Sequence, residues 1–505
     1  MAFHSYTFVL LFLPVSYLLF LLSYRLGGWP MAFRCLGIIS LGYYAQFGLE
    51  PLGVLILSVL ANYVIGQLLC SGSRAAWLRG ALLLTGVLSN LALLGYFKYS
   101  NFFLDTLAQV TGDQFSNLTI FLPVGISFFT FIQIGYLIEA YNRQVENQEF
   151  SRYLVFATFF PCITAGPLVL QKEIFSQMSR RTDSAFNTST LAVGLTLFAI
   201  GLFKKCILAD SIAPYSDAVF NGVSSGLIVD PVTAWAGALA YTLQLYFDFS
   251  GYSDMAIALG LIFGLKLPLN FNSPFKATNI SDFWRRWHMT MTRFFTNFVY
   301  SPLAITGMRR AVGSGGSRFA RYVHTAAIPA VATFLVAGVW HGAGWTFVVY
   351  GLIHGFAIAI YLGWRELKLV HLSTPVSWTL TMSVVVTALV VFRADNLTTA
   401  GQILSAMWTM GALLPVTAAA GVDIDIERAF SLIVILGSLV LLFPNSHQIL
   451  NQIWVSSDPK PESAAREAGL LSWRPNLTGA VAAGLILCLA LSAVGSSSGF
   501  LYYQF

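Results

Sequence analysis

The sequence predicts an all-α, polytopic integral membrane protein, and three observations carry that prediction. Of the 505 residues 56% are hydrophobic and 10% charged, whereas a soluble domain carries about 25% charged residues. Apolar stretches of roughly 17 to 25 residues, enough to cross a bilayer as a helix, recur along the whole length. Basic residues gather in alternate short loops, which is the positive-inside pattern and sets orientation. That distribution, with a net charge of +6, points to a membrane and away from nucleic acid. No long polar linker interrupts the pattern, so residues 1–505 read as a single membrane domain.

The candidate spans, in order, are 6–24, 35–48, 52–70, 81–103, 118–140, 190–209, 232–249, 253–266, 325–340, 345–363, 377–393, 428–445 and 478–497. Met1 to Tyr24 contains no Lys or Arg, and Arg25 follows the first run. The segment therefore lacks the basic start of a secretory signal, and its N-terminus is expected outside. Arg74 and Arg79, Arg143 and Arg152, then Lys172, Arg180 and Arg181 mark inner loops, as do Lys460, Arg466 and Arg474 near the end. Loops 104–117 and 210–231 carry acids without bases and are expected outside. The cysteines Cys35, Cys70, Cys162, Cys206 and Cys488 are scattered without metal-like spacing. They read as packing residues, with no disulfide framework and no metal site expected.

Three zones divide the chain. Residues 1–115 form an N-terminal helical bundle, in which Gly95-Tyr-Phe-Lys-Tyr-Ser-Asn101 sits at a membrane edge. There Lys98 reads as a snorkelling membrane anchor between Tyr96 and Tyr99 rather than a catalytic lysine. Residues 116–375 hold the unusual chemistry, and residues 376–505 are plain apolar helices with a loop from Ser456 to Asn476. Within the middle zone, Phe160-Pro-Cys-Ile-Thr-Ala-Gly-Pro167 cannot continue a straight helix. Lying between two inner loops, it reads as a re-entrant segment, tolerated where protein or a water-filled cavity surrounds it. Tyr246-Phe-Asp-Phe-Ser-Gly-Tyr-Ser-Asp254 places Asp248 and Asp254 in an aromatic stretch, as helix caps, partners for arginines or direct participants.

The histidines carry most of the functional information, because a titratable group inside a membrane is costly. Ser281 to Tyr300 reads as one amphipathic helix, capped by Ser281 or Asp282. Trp284, Trp287, His288, Met291 and Phe295 share one face, and Arg286, Thr290, Arg293 and Asn297 another. Lys276, Arg285 and Arg286 place it at the cytoplasmic surface, where its basic face suits anionic lipid or a phosphate-bearing acyl donor. His341 ends an apolar run after Trp340 and precedes Gly342-Ala343-Gly344, small residues that admit a close neighbour. It is the stronger candidate for a general base, since imidazole titrates near neutrality. His354, thirteen positions on, falls on another face and reads as a supporting residue. His4, His324, His371 and His447 lie at loops or segment ends.

With these residues in view the chain resembles the membrane-bound O-acyltransferases, in particular the bacterial branch that acetylates alginate and cellulose. The matching stretches run in order: Leu122-Pro-Val-Gly-Ile-Ser-Phe-Phe-Thr-Phe131, Phe160 to Pro167, Gly201-Leu-Phe-Lys-Lys205, Tyr241 to Asp254, Leu269-Asn-Phe-Asn272, Asp282 to His288, and Trp340-His-Gly-Ala-Gly-Trp-Thr-Phe347. The resemblance implies a ring of helices around a funnel, with His341 at the narrow point and His288 as the second histidine. It implies an acyl donor on the cytoplasmic face, acetyl-CoA as co-substrate with no resident cofactor, and an acceptor on the outer face. A bacterial inner-membrane location follows, with a periplasmic acetyl-relay or esterase-like protein and a polysaccharide synthase complex as partners, beside membrane lipid.

On that reading His341 takes the acceptor's proton, and His288 polarises the thioester carbonyl or orients the donor. Lys276, Arg285, Arg286, Trp284 and Trp287 serve the donor side. Asp248 and Asp282 fix histidine tautomers or cap helices, with Asn272, Trp340 and His354 in support. One departure stands out: many relatives follow the amphipathic helix with Tyr-Ile-Pro-Leu-Gly-Gly, whereas this chain has Tyr300-Ser-Pro-Leu-Ala-Ile-Thr-Gly-Met-Arg-Arg310. The alternatives left open are D-alanyl-type transfer from a carrier protein, a proton-coupled transporter, and a catalytically silent assembly subunit.

Overall fold

The computed structural model describes residues 1–71, 75–113, 115–145, 149–179, 188–313, 317–408, 422, 424–450, 472–496 and 498–501. The expected inner-loop markers Arg74, Arg180, Arg181, Lys460 and Arg466 lie outside the described residues. Among those described the chain is helical and without strands. Among the described residues seven helices are long and apolar enough to cross a membrane: Thr7–Ala45, Leu49–Cys70, Ala76–Thr111, Thr188–Ser224, Arg318–His341, Trp345–Glu366 and Thr374–Arg393. Ile126–Tyr141 and Leu477–Ala493 are shorter apolar helices. The chain is a multi-pass membrane protein.

The first of these helices is a hairpin. Gly27 and Gly28 leave helical geometry, Gly28 at φ +64°, a conformation that glycine adopts without penalty. Beyond the turn the chain runs back, so that Phe12 and Tyr43 have ring centroids 5.4 Å apart. Tyr43 Oη also donates to the Met1 carbonyl at 3.2 Å. The two expected runs at 6–24 and 35–48 are thus two antiparallel helices.

Pro231–Ile262 joins two expected spans, 232–249 and 253–266, into one buried helix of 32 residues. Asp230 caps it, its carboxylate accepting from the Val232 and Thr233 amides. The helix runs through Asp248 and Asp254 because each carboxylate is paired. Lys205 Nζ lies 2.8 Å from Asp248. Lys204 Nζ lies 2.8 Å and His447 Nε2 3.0 Å from Asp254. The partners are therefore lysines and a histidine, not the arginines that the sequence allowed. A π-helical turn, Lys204–Ala209, carries both lysines, and Gly201 lets its helix approach: a Cβ there would sit 2.6 Å from the Gly251 carbonyl. Late residues complete the cluster. Leu501 N donates to Asp248 at 3.1 Å, Lys205 reaches Ser498 Oγ at 3.0 Å, and Phe500 stacks on Tyr252 at 4.2 Å.

The 160–167 segment is broken and buried, as its prolines require. Phe150–Thr158 ends before Pro161, Phe160–Ile163 makes one turn, and Gln171–Ser179 follows. Its polar groups find protein partners: Phe160 N donates to Ser40 Oγ at 3.2 Å, and Thr164 and Tyr252 hydroxyls meet at 2.6 Å. Gly125 packs over it at φ +75°, where a Cβ would lie 2.2 Å from the Ile163 carbonyl. Arg318–His341 and Trp345–Glu366 are held as closely. A Cβ on Gly338 would meet the Phe347 carbonyl at 2.3 Å, and one on Gly351 the Phe334 carbonyl at 2.3 Å. Such small-residue seams drive helix association where water cannot.

Candidate active site

His341 is the last residue of its helix, since Gly342 is fully extended at φ −161°, ψ 159°. Its ring is buried against Tyr350 at 5.8 Å and Phe392 at 5.3 Å, both edge-on. The His288 ring lies 6.5 Å away, centroid to centroid. Fifty-three positions apart in sequence, the two expected histidines meet in one place. Trp340 stands beside both, 6.1 Å from His288 and 4.9 Å from His341, with its Nε1 donating to the Ser127 carbonyl at 3.3 Å.

The segment that carries His288 is not the continuous helix its periodicity suggested. Asn279, rather than Ser281 or Asp282, caps Ile280–Trp284, and a second short helix, Met289–Phe295, starts after His288. Between them His288 adopts φ +43°, an uncommon state for a residue with a Cβ, worth about 1–3 kcal/mol of strain. Asn270 holds it there. Its carbonyl accepts from Met289 N at 2.9 Å, and its Oδ1 accepts from Thr290 N at 3.3 Å and Thr290 Oγ1 at 2.9 Å. The same oxygen lies 3.0 Å from His288 Nδ1.

That contact decides the tautomer. An oxygen that already takes a backbone N–H is an acceptor, so His288 Nδ1 carries the proton and Nε2 keeps its lone pair. His288 stands in the turn between the two short helices, outside the spanning ones, and burial pushes its pKa down to about 3. The neutral ring thus accepts hydrogen bonds at Nε2. Polarising a carbonyl needs an N–H there, so the expected carbonyl-polarising role for His288 does not fit its geometry.

Asn270 was missed in the sequence, where Asn272 was chosen. Asn272 instead accepts from Asn445 Nδ2 at 2.9 Å. Both asparagines belong to Leu269-Asn-Phe-Asn272, a non-helical stretch, and nothing in that motif tells one from the other. The two carboxylates expected to orient histidines also face elsewhere. Asp248 pairs with Lys205, and Asp282 Oδ2 accepts from Arg286 Nε at 3.0 Å.

On the expected donor side the groups separate. Arg285 is exposed, Arg286 is tied to Asp282, and Lys276 Nζ donates to the Phe443 carbonyl at 2.9 Å. Arg293, from the expected basic face, pairs with Glu173 at 2.6 Å. Trp287 is buried among aromatic rings, 5.1 Å from Phe271 and 5.6 Å from Phe283. Trp284 Nε1 donates to His354 Nδ1 at 3.3 Å, and Tyr350 bridges to His341 from 4.7 Å off His354.

Lys98 is the second surprise. Its side chain turns inward instead of snorkelling to the interface, with Nζ 2.8 Å from the Trp340 carbonyl and 2.9 Å from that of His341. A cavity of about 180 Å³ opens beside it, lined by Lys98, Pro123, Ser127, Thr164, Trp340 and His341. His341 therefore lines a cavity. A larger cavity of about 660 Å³, at Lys204, Tyr246 and Arg474, is lined by neither His288 nor His341.

Residues 69–400, which include every residue of this constellation, match the model of the membrane-bound O-acyltransferase family. The chain belongs to that family. Among the relatives of this membrane-bound O-acyltransferase is a peptidoglycan O-acetyltransferase of Helicobacter pylori, 36% identical over an alignment of 434 residues that covers 80% of this chain and 79% of the relative. A probable alginate O-acetylase of Pseudomonas aeruginosa is 35% identical over an alignment of 478 residues that covers 92% of this chain and 86% of the relative. A teichoic acid D-alanyltransferase of Streptococcus thermophilus is 31% identical over 48% of this chain. The protein is thus an enzyme of the O-acyltransferase type.

Proposed function

We propose that this enzyme O-acetylates a cell-envelope or extracellular polysaccharide, taking the acetyl group from acetyl-CoA at the cytoplasmic face of a bacterial inner membrane. The observation that carries the reading is the meeting of His341 and His288 at 6.5 Å beside a cavity that reaches His341. Two relatives that cover most of this chain are named for O-acetylation, one of peptidoglycan and one of alginate. The D-alanyl alternative rests on relatives that match about half of the chain.

In the transfer the acceptor hydroxyl attacks the thioester carbonyl carbon, forming the ester C–O bond. His341 takes the hydroxyl proton as that bond forms, a contribution of about 10²–10⁴-fold. The C–S bond then breaks, and the departing thiolate takes the proton from the imidazolium. His288 Nε2, unprotonated in its tautomer, accepts a hydrogen bond from the donor or the acceptor and orients it. Arg285 meets the donor's phosphates.

Charge supports an arrangement with the N-terminus outside. Arg143 follows the far end of Ile126–Tyr141, so the positive-inside rule puts the cavity at the Leu122–Phe128 end toward the outer face. Lys266, Lys276 and Arg285 precede His288 in the sequence, a basic run that suits an inner donor. The acceptor then approaches through the outer cavity, directly or through a periplasmic relay.

The deciding experiment compares polymer acetyl content in wild-type, His341→Ala and His288→Ala cells at matched membrane levels of each protein. Loss of acetylation in the His341→Ala cells is expected. Normal acetylation there would overturn the assignment of the base.

A further inference from the structure

We infer that Lys98 and Tyr99 form a clamp that positions His341 for acyl transfer, an inference that rests on His341 being the base. A helix C-terminus leaves its last carbonyls without partners inside the helix. Here the three final ones are taken in succession by one neighbouring turn. Tyr99 Oη donates to the Val339 carbonyl at 2.5 Å, and Lys98 Nζ donates to those of Trp340 at 2.8 Å and His341 at 2.9 Å.

The third N–H of the ammonium goes to Ser127 Oγ at 3.2 Å. An ammonium has three donors, so all are spent on protein atoms and none is left for a substrate. Although Lys98 lines the cavity, it acts through His341 and is a positioning residue. Its charge also stands at the negative end of the Arg318–His341 helix, where a cation is favoured.

The aim of both side chains comes from local structure. Gly95–Tyr99 is a π-helical turn inside the long Ala76–Thr111 helix. Such turns insert an extra residue, shift the phase of the side chains that follow, and are frequent at functional sites. Ser127 closes the arrangement from a third element, since its carbonyl takes the Trp340 indole while its hydroxyl takes Lys98. The backbone on both sides of the His341 Cα is thereby fixed, and with it the root of the imidazole.

The test uses the full chain in inverted membrane vesicles that hold the endogenous polymer machinery, with radiolabelled acetyl-CoA as the probe. Initial rates of label transfer are measured against acetyl-CoA concentration for wild type, Lys98→Met, Lys98→Arg, Tyr99→Phe and His341→Ala, at matched protein levels. Misplacing a reacting group by about 1 Å costs about 10²-fold, so kcat of Lys98→Met should fall on that order. KM for acetyl-CoA should stay within about twofold, because donor binding does not use Lys98. Lys98→Arg, which restores the cation, should recover a clear part of the loss.

An unchanged kcat in Lys98→Met would overturn the clamp, as would a loss confined to KM or an arginine variant no better than the methionine one. If Lys98→Met fails to reach the membrane, Tyr99→Phe decides, a fall in kcat alone supporting the clamp and a wild-type rate overturning it. A fully active His341→Ala removes the reading of the base and the clamp together. Inactive His341→Ala beside wild-type Lys98→Met removes the clamp only.

Discussion

Asn270 Oδ1 lies 3.0 Å from His288 Nδ1 and settles which nitrogen of that ring holds the proton. Replacing Asn270 by Ala removes an acceptor shared with Thr290 and leaves buried donors unmatched, at about 1–3 kcal/mol. Acyl transfer should fall with it, while Asn270→Asp, which keeps the acceptor, should retain more activity. Equal activity in the alanine variant and the wild type would contradict the role given to this contact.

The low pKa of His288 has a consequence for stability. Between its ordinary value of 6.5 and about 3, the unfolded chain binds a proton that the folded chain does not. Stability therefore falls as pH drops through that window. From about pH 7 to about pH 5 the wild type should lose more melting temperature than His288→Gln, which lacks the titrating ring. Thermal melts in detergent at the two pH values check this, and identical losses would exclude it.

Arg285 and Arg286 are neighbours in sequence with different expected behaviour. Arg285 is exposed, whereas Arg286 is bound to Asp282. Arg285→Glu should raise KM for acetyl-CoA with little change in kcat, as expected when ground-state binding alone is lost. Arg286→Ala should leave KM near the wild-type value. Steady-state kinetics of both variants separate these outcomes.

Within the central helix, the Lys205–Asp248 pair is almost completely buried, each side chain 1% exposed. Removing one partner of a buried pair costs about 3–5 kcal/mol, while replacing both by apolar groups often does not. Lys205 Nζ also lies 2.8 Å from Asp210, so the cation serves two carboxylates. Asp248→Leu should thus lower the melting temperature, and Lys205→Met, which strands both Asp248 and Asp210, should lower it further. A Lys205→Met variant as stable as the wild type would count against the pairing.

Hydropathy made most helices legible, because lipid punishes a polar span wherever it falls. It placed a break at 249–253 that the structure lacks, since the lysines neutralising Asp248 and Asp254 come from some fifty residues earlier. The histidine pair was legible from the aromatic and glycine residues around it. Its supports were less so. Periodicity over 281–300 described a smooth helix, and only the reach of Asn270 from another segment shows why the chain turns at His288. Lys98 had the composition of an interfacial anchor, flanked by tyrosines. Its inward aim depends on a π turn, which leaves no compositional trace.

Asp248 and the amide of Leu501 that it accepts are separated by 253 positions. While the chain is being made, the middle of the molecule must enter the bilayer long before that donor exists. The carboxylate has Lys205 to hold its charge in the interval, but its second oxygen waits until Leu501 has been made. Closure of this interior is accordingly a long-range event, and a ribosome stalled before Leu501 would leave a molecule inserted but unlocked.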